Sequence, residues 1–199
     1  MQRERLWQTA HGMSDLIDSD GFRANVGIVL MRGNGEVFLG RRTGGRGWQF
    51  PQGGMRAGES LEQALYRELH EEIGLTSADV KLLARTEQWL RYRLPSRYVR
   101  RNRHPVCIGQ KQRWFLLGLE RENARFAFDS TAEPEFDEWR WTSYWEPVRE
   151  VIYFKRAVYV KALAELAPFA LPRGAPAAPA WLASFAAPAE SSAAGAPLD

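Results

Sequence analysis

Gly53-Gly-Met-Arg-Ala-Gly-Glu59 runs directly into Ser60-Leu-Glu-Gln-Ala-Leu-Tyr-Arg-Glu-Leu-His-Glu-Glu-Ile-Gly-Leu75. The second part predicts a helix over Leu61–Ile73. Ser60 and Gln63 have the spacing of a capping box, and Gly74 is placed to end the helix. Leu61, Leu65, Leu69 and Ile73 recur at helical spacing and form an apolar stripe. A Glu-rich helix ordinarily turns its acids away from such a stripe. At about 100° per residue, however, Glu72 falls within the stripe and Glu68 at its edge, with Glu71 one step beyond. Arg67 points elsewhere on the wheel. Carboxylates one turn apart and facing the protein body lose hydration and repel one another, so a cation is needed beside them. A hard divalent ion such as Mg²⁺ suits clustered oxygen ligands, keeps several waters and bridges to phosphates. That is chemistry for pyrophosphate bonds.

Outward from this segment, the runs Val26–Met31 and Val37–Leu39 predict two strands joined by an Asn-Gly turn within Arg32-Gly-Asn-Gly35. Further strands are expected at Val80–Ala84, Arg113–Leu119 and Trp139–Thr142, and an amphipathic helix at Val151–Leu166. Strands with few helices and no strict βαβ alternation predict an α+β sandwich. The Gly-rich loop Thr43–Gly47 has neither P-loop nor dinucleotide spacing and reads only as a loop. Residues 1–19 are expected to be a flexible extension and 20–166 the folded domain. The 33 residues from Ala167 include thirteen alanines and six prolines, the composition of a disordered tail. Trp181, Leu182 and Phe185 are read there as incidental rather than as a docking motif.

Hydrophobic residues at 45 % and charged ones at 26 % are ordinary for a globular protein. The apolar run Val26–Met31 is too short to span a bilayer, and Arg3-Glu-Arg5 lacks the apolar stretch of a secretory signal. A cytoplasmic protein with no membrane association is expected. The single cysteine, Cys107, excludes a disulfide or a cysteine-based zinc site within one chain and is expected to be a small buried hydrophobe. Between Arg85 and Arg113 stand nine basic residues and one acid, a net +8, so the rest of the +3 chain carries −5 (3 − 8). A positive field on an acidic body fits a polyanionic partner or a merely solvated basic loop.

The quoted segment resembles the signature of the Nudix hydrolase family at every position: Gly53, five residues, Glu59, seven residues, Arg67-Glu68-Leu69, one residue, Glu71-Glu72, one residue, Gly74-Leu75. The resemblance implies an α/β/α sandwich with a mixed sheet, in which this stretch forms a loop–helix–loop. It implies Glu68, Glu71 and Glu72 as catalytic metal-site carboxylates for a divalent cation, Mg²⁺ or Mn²⁺. Gly53, Glu59, Arg67 and Gly74 then hold the geometry.

Over roughly Asp20–Leu166 the chain is similar to the RNA pyrophosphohydrolase subgroup. The resemblance rests on Gly21-Phe-Arg-x-Asn-Val-Gly-Ile-Val29, Trp48-Gln-Phe-Pro-Gln-Gly-Gly54, Trp89-Leu-Arg-Tyr-x-Leu-Pro95, Cys107-Ile-Gly-Gln-Lys-Gln112, Pro134-Glu-Phe-Asp137, Trp139-Arg-Trp141 and Phe154-Lys-Arg156. It implies a 5′-triphosphorylated RNA as substrate and mRNA decay as role, in a monomer. Arg23, Arg42 and Lys111 are expected as phosphate clamps, and Phe154 opposite Arg42, lined by Ile152, as a base clamp. Lys155 is expected near a phosphate, Tyr92 at the base or phosphate end, and Glu135 at the metal site as an extra ligand or base. The subgroup shades into dinucleoside-polyphosphate hydrolases, which are the second reading. The basic Arg85–Arg113 segment favours RNA, since a small dinucleotide needs no extended field. A binding module without turnover is disfavoured because all three box carboxylates are present.

Overall fold

A computed structural model describes residues 16–45, 47–121, 123–129 and 131–185. The central strand β1 (Phe22–Met31) is buried on both faces, and its side chains alternate between two cores. Val26, Ile28 and Leu30 face α1 (Leu61–Ile73), whereas Val29 and Met31 pack toward α3 (Arg156–Leu166). Strand β7 (Gly109–Leu119) runs parallel to β1 along its whole length and repeats the division, with Phe115 and Leu117 on the α1 side and Trp114 and Leu116 on the other. Period-two alternation on two buried strands therefore builds both layers, and the result is the expected α/β/α sandwich on a mixed sheet.

Antiparallel strands complete the sheet. Met31 of β1 pairs with Val37 of β2 (Val37–Arg42) across the expected Asn-Gly turn, and β2 also pairs with β3 (Trp48–Gln49) and β8 (Phe136–Thr142). Strand β4 (Gln52–Gly54) pairs with β1 at Asn25–Gly27, so the chain enters α1 from the middle of the sheet. Strands β5 (Val80–Arg85) and β6 (Leu90–Arg93) both pair with β7. The α1 capping box forms in both directions, and Gly74 ends the helix with φ of 74°, a left-handed backbone that favours glycine.

Three expectations change. The final helix is not continuous from Val151. A short helix α2 (Pro147–Glu150) stops at extended Val151 and Ile152, a single 3₁₀ turn covers Tyr153–Lys155, and only then does α3 begin. Arg156 stabilises the break by donating to the carbonyls of Val151 and Arg149.

The second change concerns the tail, whose residues 167–185 fold back on the domain rather than being disordered. Leu182 is buried, Trp145 donates to the Pro176 carbonyl at 2.8 Å, and Arg149 lies 4.0 Å over the Trp181 ring. Composition averaged over the tail hides the few apolar side chains that fix it; residues 186–199 lie outside the described residues. Third, residues 16–19 pack against the domain. Ala24 donates to the Leu16 carbonyl and Asp18 accepts from the Phe22 N–H, while residues 1–15 lie outside the described set. Among the described residues no helix is long and apolar enough to cross a membrane. Cys107 is half-buried and donates to the Gly109 carbonyl.

Candidate active site

The wheel's prediction for α1 holds in space. Glu68 and Glu72 are buried at 7 % and 8 % exposure, on the same face as Leu65, Leu69 and Ile73. Both line a cleft of about 770 Å³. Glycine makes this possible, because a Cβ on Gly53 would overlap the Glu68 carboxylate and one on Gly54 would collide with the Arg23 guanidinium. Glu72 accepts from the Gln52 N–H at 2.9 Å. Burial, then the neighbouring Glu68 and Glu135 charges, push the Glu72 carboxyl well above its ordinary range, against the pull of the Gln52 N–H and Lys155. Burial likewise pushes Glu68 up, opposed by its bond to Arg67.

Arg67, expected to point elsewhere, reaches back into the acid cluster. Its guanidinium donates to both oxygens of Glu59, to Glu68 at 2.5 Å, to Glu71 at 3.1 Å and to the Gly54 carbonyl at 2.8 Å. A long side chain covers more of the surface than its wheel angle implies. Burial opposes its charge, but Glu59 and Glu68 hold it firmly protonated, and Arg67 in turn lowers the Glu59 carboxyl. Glu59 also accepts from the Arg56 N–H, closing the loop before the helix. Glu71 does not line the cleft. It sits on the shoulder, shared between Arg67 and Arg56, so among the described residues the acids do not form a preset cluster of three.

The opposite wall carries cations and aromatic rings. Arg42 donates to Glu135 at 2.7 Å, and Gln49 donates to the same oxygen at 3.3 Å. Lys155 is buried and donates to the side-chain amide oxygen of Gln49 at 3.2 Å; burial, then Arg42, push its ammonium down to about 8. Ile152 and Phe154 reach this wall because the break before α3 turns them inward. The Phe154 ring lies 5.8 Å from Tyr92 and 5.4 Å from Tyr98. Burial keeps the Tyr92 phenol neutral, and it donates to Gln110 at 2.5 Å.

Thus Arg23, Arg42, Glu68, Glu72, Tyr92, Glu135, Ile152, Phe154 and Lys155 line one cleft. Lys111 does not line it. Alternation on β7 turns Gln110 inward and Lys111 to the other face, where its ammonium pairs with Asp18 at 2.8 Å. Gln49, Gln52, Gln110 and Tyr98 also line the cleft without being expected there, and Arg100 and Arg103 are expected only as part of the basic segment. The three glutamines stand inside quoted motifs, so period-two alternation around them was the available signal.

A hard divalent cation fits this donor set. The acids are buried, oxygen-only and raised by desolvation and mutual repulsion, which is a demand for positive charge that Arg67 meets only on one side.

A family profile described as NUDIX domain matches residues 21–163. The chain is 56 % identical over 157 residues to the RNA pyrophosphohydrolase of Pseudoalteromonas translucida, covering 79 % of this chain and 91 % of that protein. It is 55 % identical over 164 residues to the RNA pyrophosphohydrolase of Alkalilimnicola ehrlichii, covering 82 % and 91 %. The fold is similar to that of the dihydroneopterin triphosphate pyrophosphohydrolase of E. coli, with a TM-score of 0.57 at 18 % identity over 71 % of this chain and 94 % of that one. The chain belongs to the Nudix hydrolase family.

Proposed function

We infer that the protein removes the β and γ phosphates from the 5′-triphosphate end of RNA and leaves a 5′-monophosphate, opening the transcript to decay in the cytoplasm. The reading is carried by the 55–57 % identity to RNA pyrophosphohydrolases over 157 to 164 residues. The chemistry of the walls supports it. Glu68 and Glu72, with Glu71 at the shoulder, would hold a divalent cation, Mg²⁺ or Mn²⁺, which supplies charge neutralisation on the phosphates and acidifies water.

The chain's own residues do the rest. Arg23, beside Gly54, and Arg42 and Lys155 on the facing wall attract and orient the polyphosphate. Phe154, with Ile152 and the Arg42 guanidinium, takes a base by stacking. Attack joins water oxygen to phosphorus, the bridging P–O bond breaks, and the water proton passes to a cleft carboxylate. Glu135, 35 % exposed at its side chain and oriented by Arg42 and Gln49, is the proposed acceptor. Gly53, Glu59, Arg67 and Gly74 keep loop and helix in register. The cleft is built from one chain, which suits a monomer.

One assay tests the reading: kcat/KM for a triphosphorylated oligoribonucleotide and for diadenosine tetraphosphate, side by side in Mg²⁺. The RNA is expected to react faster. A much faster dinucleotide reaction would replace the reading with dinucleoside-polyphosphate hydrolysis.

A further inference from the structure

We propose that Tyr98, with Arg100 and Arg103, forms a second nucleotide subsite that takes a downstream base and its phosphates from single-stranded RNA. The proposal rests on the RNA reading above and extends it from the reacting end to the strand behind it. Three observations carry it. First, the aromatic surface does not stop at the base clamp. Tyr92 is buried, Phe154 is half-buried, and Tyr98 beyond it is 42 % exposed, so a row of rings climbs from the cleft floor to solvent. Second, Tyr98 is held by a turn rather than hanging on a loose loop. It sits in a 3₁₀ turn (Ser96–Tyr98) closed by the Tyr98 N–H on the Pro95 carbonyl and the Val99 N–H on the Ser96 carbonyl.

Third, the charge around this ring is unspent. Arg97, Arg100, Arg101 and Arg103 are all exposed, and among the described residues none of them forms an ion pair. Elsewhere around the cleft, Arg42 is paired with Glu135 and Arg67 with Glu59, Glu68 and Glu71. Arg100, Arg103 and His104 line the same cleft as the acids, so a strand leaving the triphosphate end passes over them. The Arg97 guanidinium lies 5.0 Å over the Tyr98 ring, a planar cation where a planar base would stack. A base arriving there displaces it and frees it toward a phosphate. Stacking combined with cations along the phosphate backbone gives sequence-tolerant binding of a single strand.

The test compares the full chain with Tyr98→Ala, Tyr98→Phe and the pair Arg100→Ser with Arg103→Ser, on triphosphorylated RNA of two and of six nucleotides. The measured quantity is the ratio of KM for the hexanucleotide to KM for the dinucleotide. Tyr98→Ala is expected to raise that ratio about tenfold, and Tyr98→Phe to restore it to within about twofold. Because each neutralised phosphate contributes about 0.7 to the salt slope on single strands, the arginine pair should lower the slope for the hexanucleotide by about 1.4.

A ratio that stays at its native value overturns the subsite. If KM rises equally for both lengths, Tyr98 merely supports Phe154; if it rises for neither, the ring binds nothing. Absence of any RNA turnover by the native chain is a different result and defeats the functional reading itself.

Discussion

The helix α1 and the loop Pro95–His104 face one cleft and hold charge in opposite ways. On α1 every acid that approaches the cleft is already engaged: Glu68 and Glu71 with Arg67, Glu72 with the Gln52 N–H. Glu68 and Glu72 are buried, burial pushes both carboxyls above the ordinary range, and glycine at 53 is required for Glu68 to fit. On the loop the arginines are exposed and make no ion pair among the described residues. Preorganised charge in a dry site does chemistry, because its interactions are strong and need no reorganisation at the moment of reaction. Unpaired charge in water attracts and guides a long polyanion. The two halves of the site thus divide turnover from grip.

The most severe way to probe this division is Glu72→Gln. Turnover of triphosphorylated RNA is expected to fall by at least about a hundredfold, while RNA affinity measured by fluorescence anisotropy changes little. The same variant should stabilise the metal-free fold. Burial lifts the Glu72 carboxyl above its usual 4.5, so between those two values the native state binds a proton that the unfolded chain has released. Metal-free stability therefore falls as pH rises through that window. The melting temperature of Glu72→Gln should depend less on pH there, and a steeper dependence would contradict the burial argument.

Next in size is Arg67→Met. It leaves Glu59, Glu68 and Glu71 without their shared partner, and loss of one member of a buried pair costs about 3–5 kcal/mol. Urea unfolding should register most of that, since the Arg67 side chain is only 15 % exposed. A change below about 1 kcal/mol, the range of surface pairs, would mean that the acid wall is less tightly organised than the contrast requires.

Phe154→Ala tests the grip. RNA binding should weaken by about 1–3 kcal/mol if one base stacks there, with the larger effect on KM. Equal damage to diadenosine tetraphosphate hydrolysis would show that Phe154 serves the cleft in general rather than the strand.

The smallest effect is a pH profile. Lys155 carries its proton below about 8 and loses it above, so attraction for the polyphosphate declines on the alkaline side. Because kcat/KM reports the free enzyme, it should fall with an inflection near 8, whereas phosphate in the complex holds the proton and keeps kcat level further up. Lys155→Met should remove that inflection. Its persistence would assign the titration to another group.

How legible this was from sequence differs by layer. The helix was readable because its caps, stripe and misplaced acids all obey one period, and Glu68 and Glu72 are buried as that period demands. The sheet was readable where runs were apolar. Strand β4, with sequence Gln-Gly-Gly, and β6, with Leu-Arg-Tyr-Arg, escaped because pairing with β1 and β7 holds them, not their own pattern. The break before α3 was illegible because Val151 and Ile152 suit helix and strand alike, and the side chain that stabilises the break, Arg156, follows it. Lys111 was misplaced by one residue of register, since one step along a strand exchanges the two faces. The tail was misread because composition counts residues, whereas a single buried Leu182 and the contacts of Trp181 decide where the chain lies.

The central claim is that Glu68 and Glu72 are turned inward to receive a divalent cation. Binding of Mn²⁺, followed by the electron paramagnetic resonance signal of the free ion, tests it without substrate or turnover. The native protein is expected to bind the ion, Glu68→Gln and Glu72→Gln to bind at least about tenfold more weakly, and Glu62→Gln, altered at an exposed acid on the same helix, to match the native protein. Equal binding by all four proteins would contradict the account.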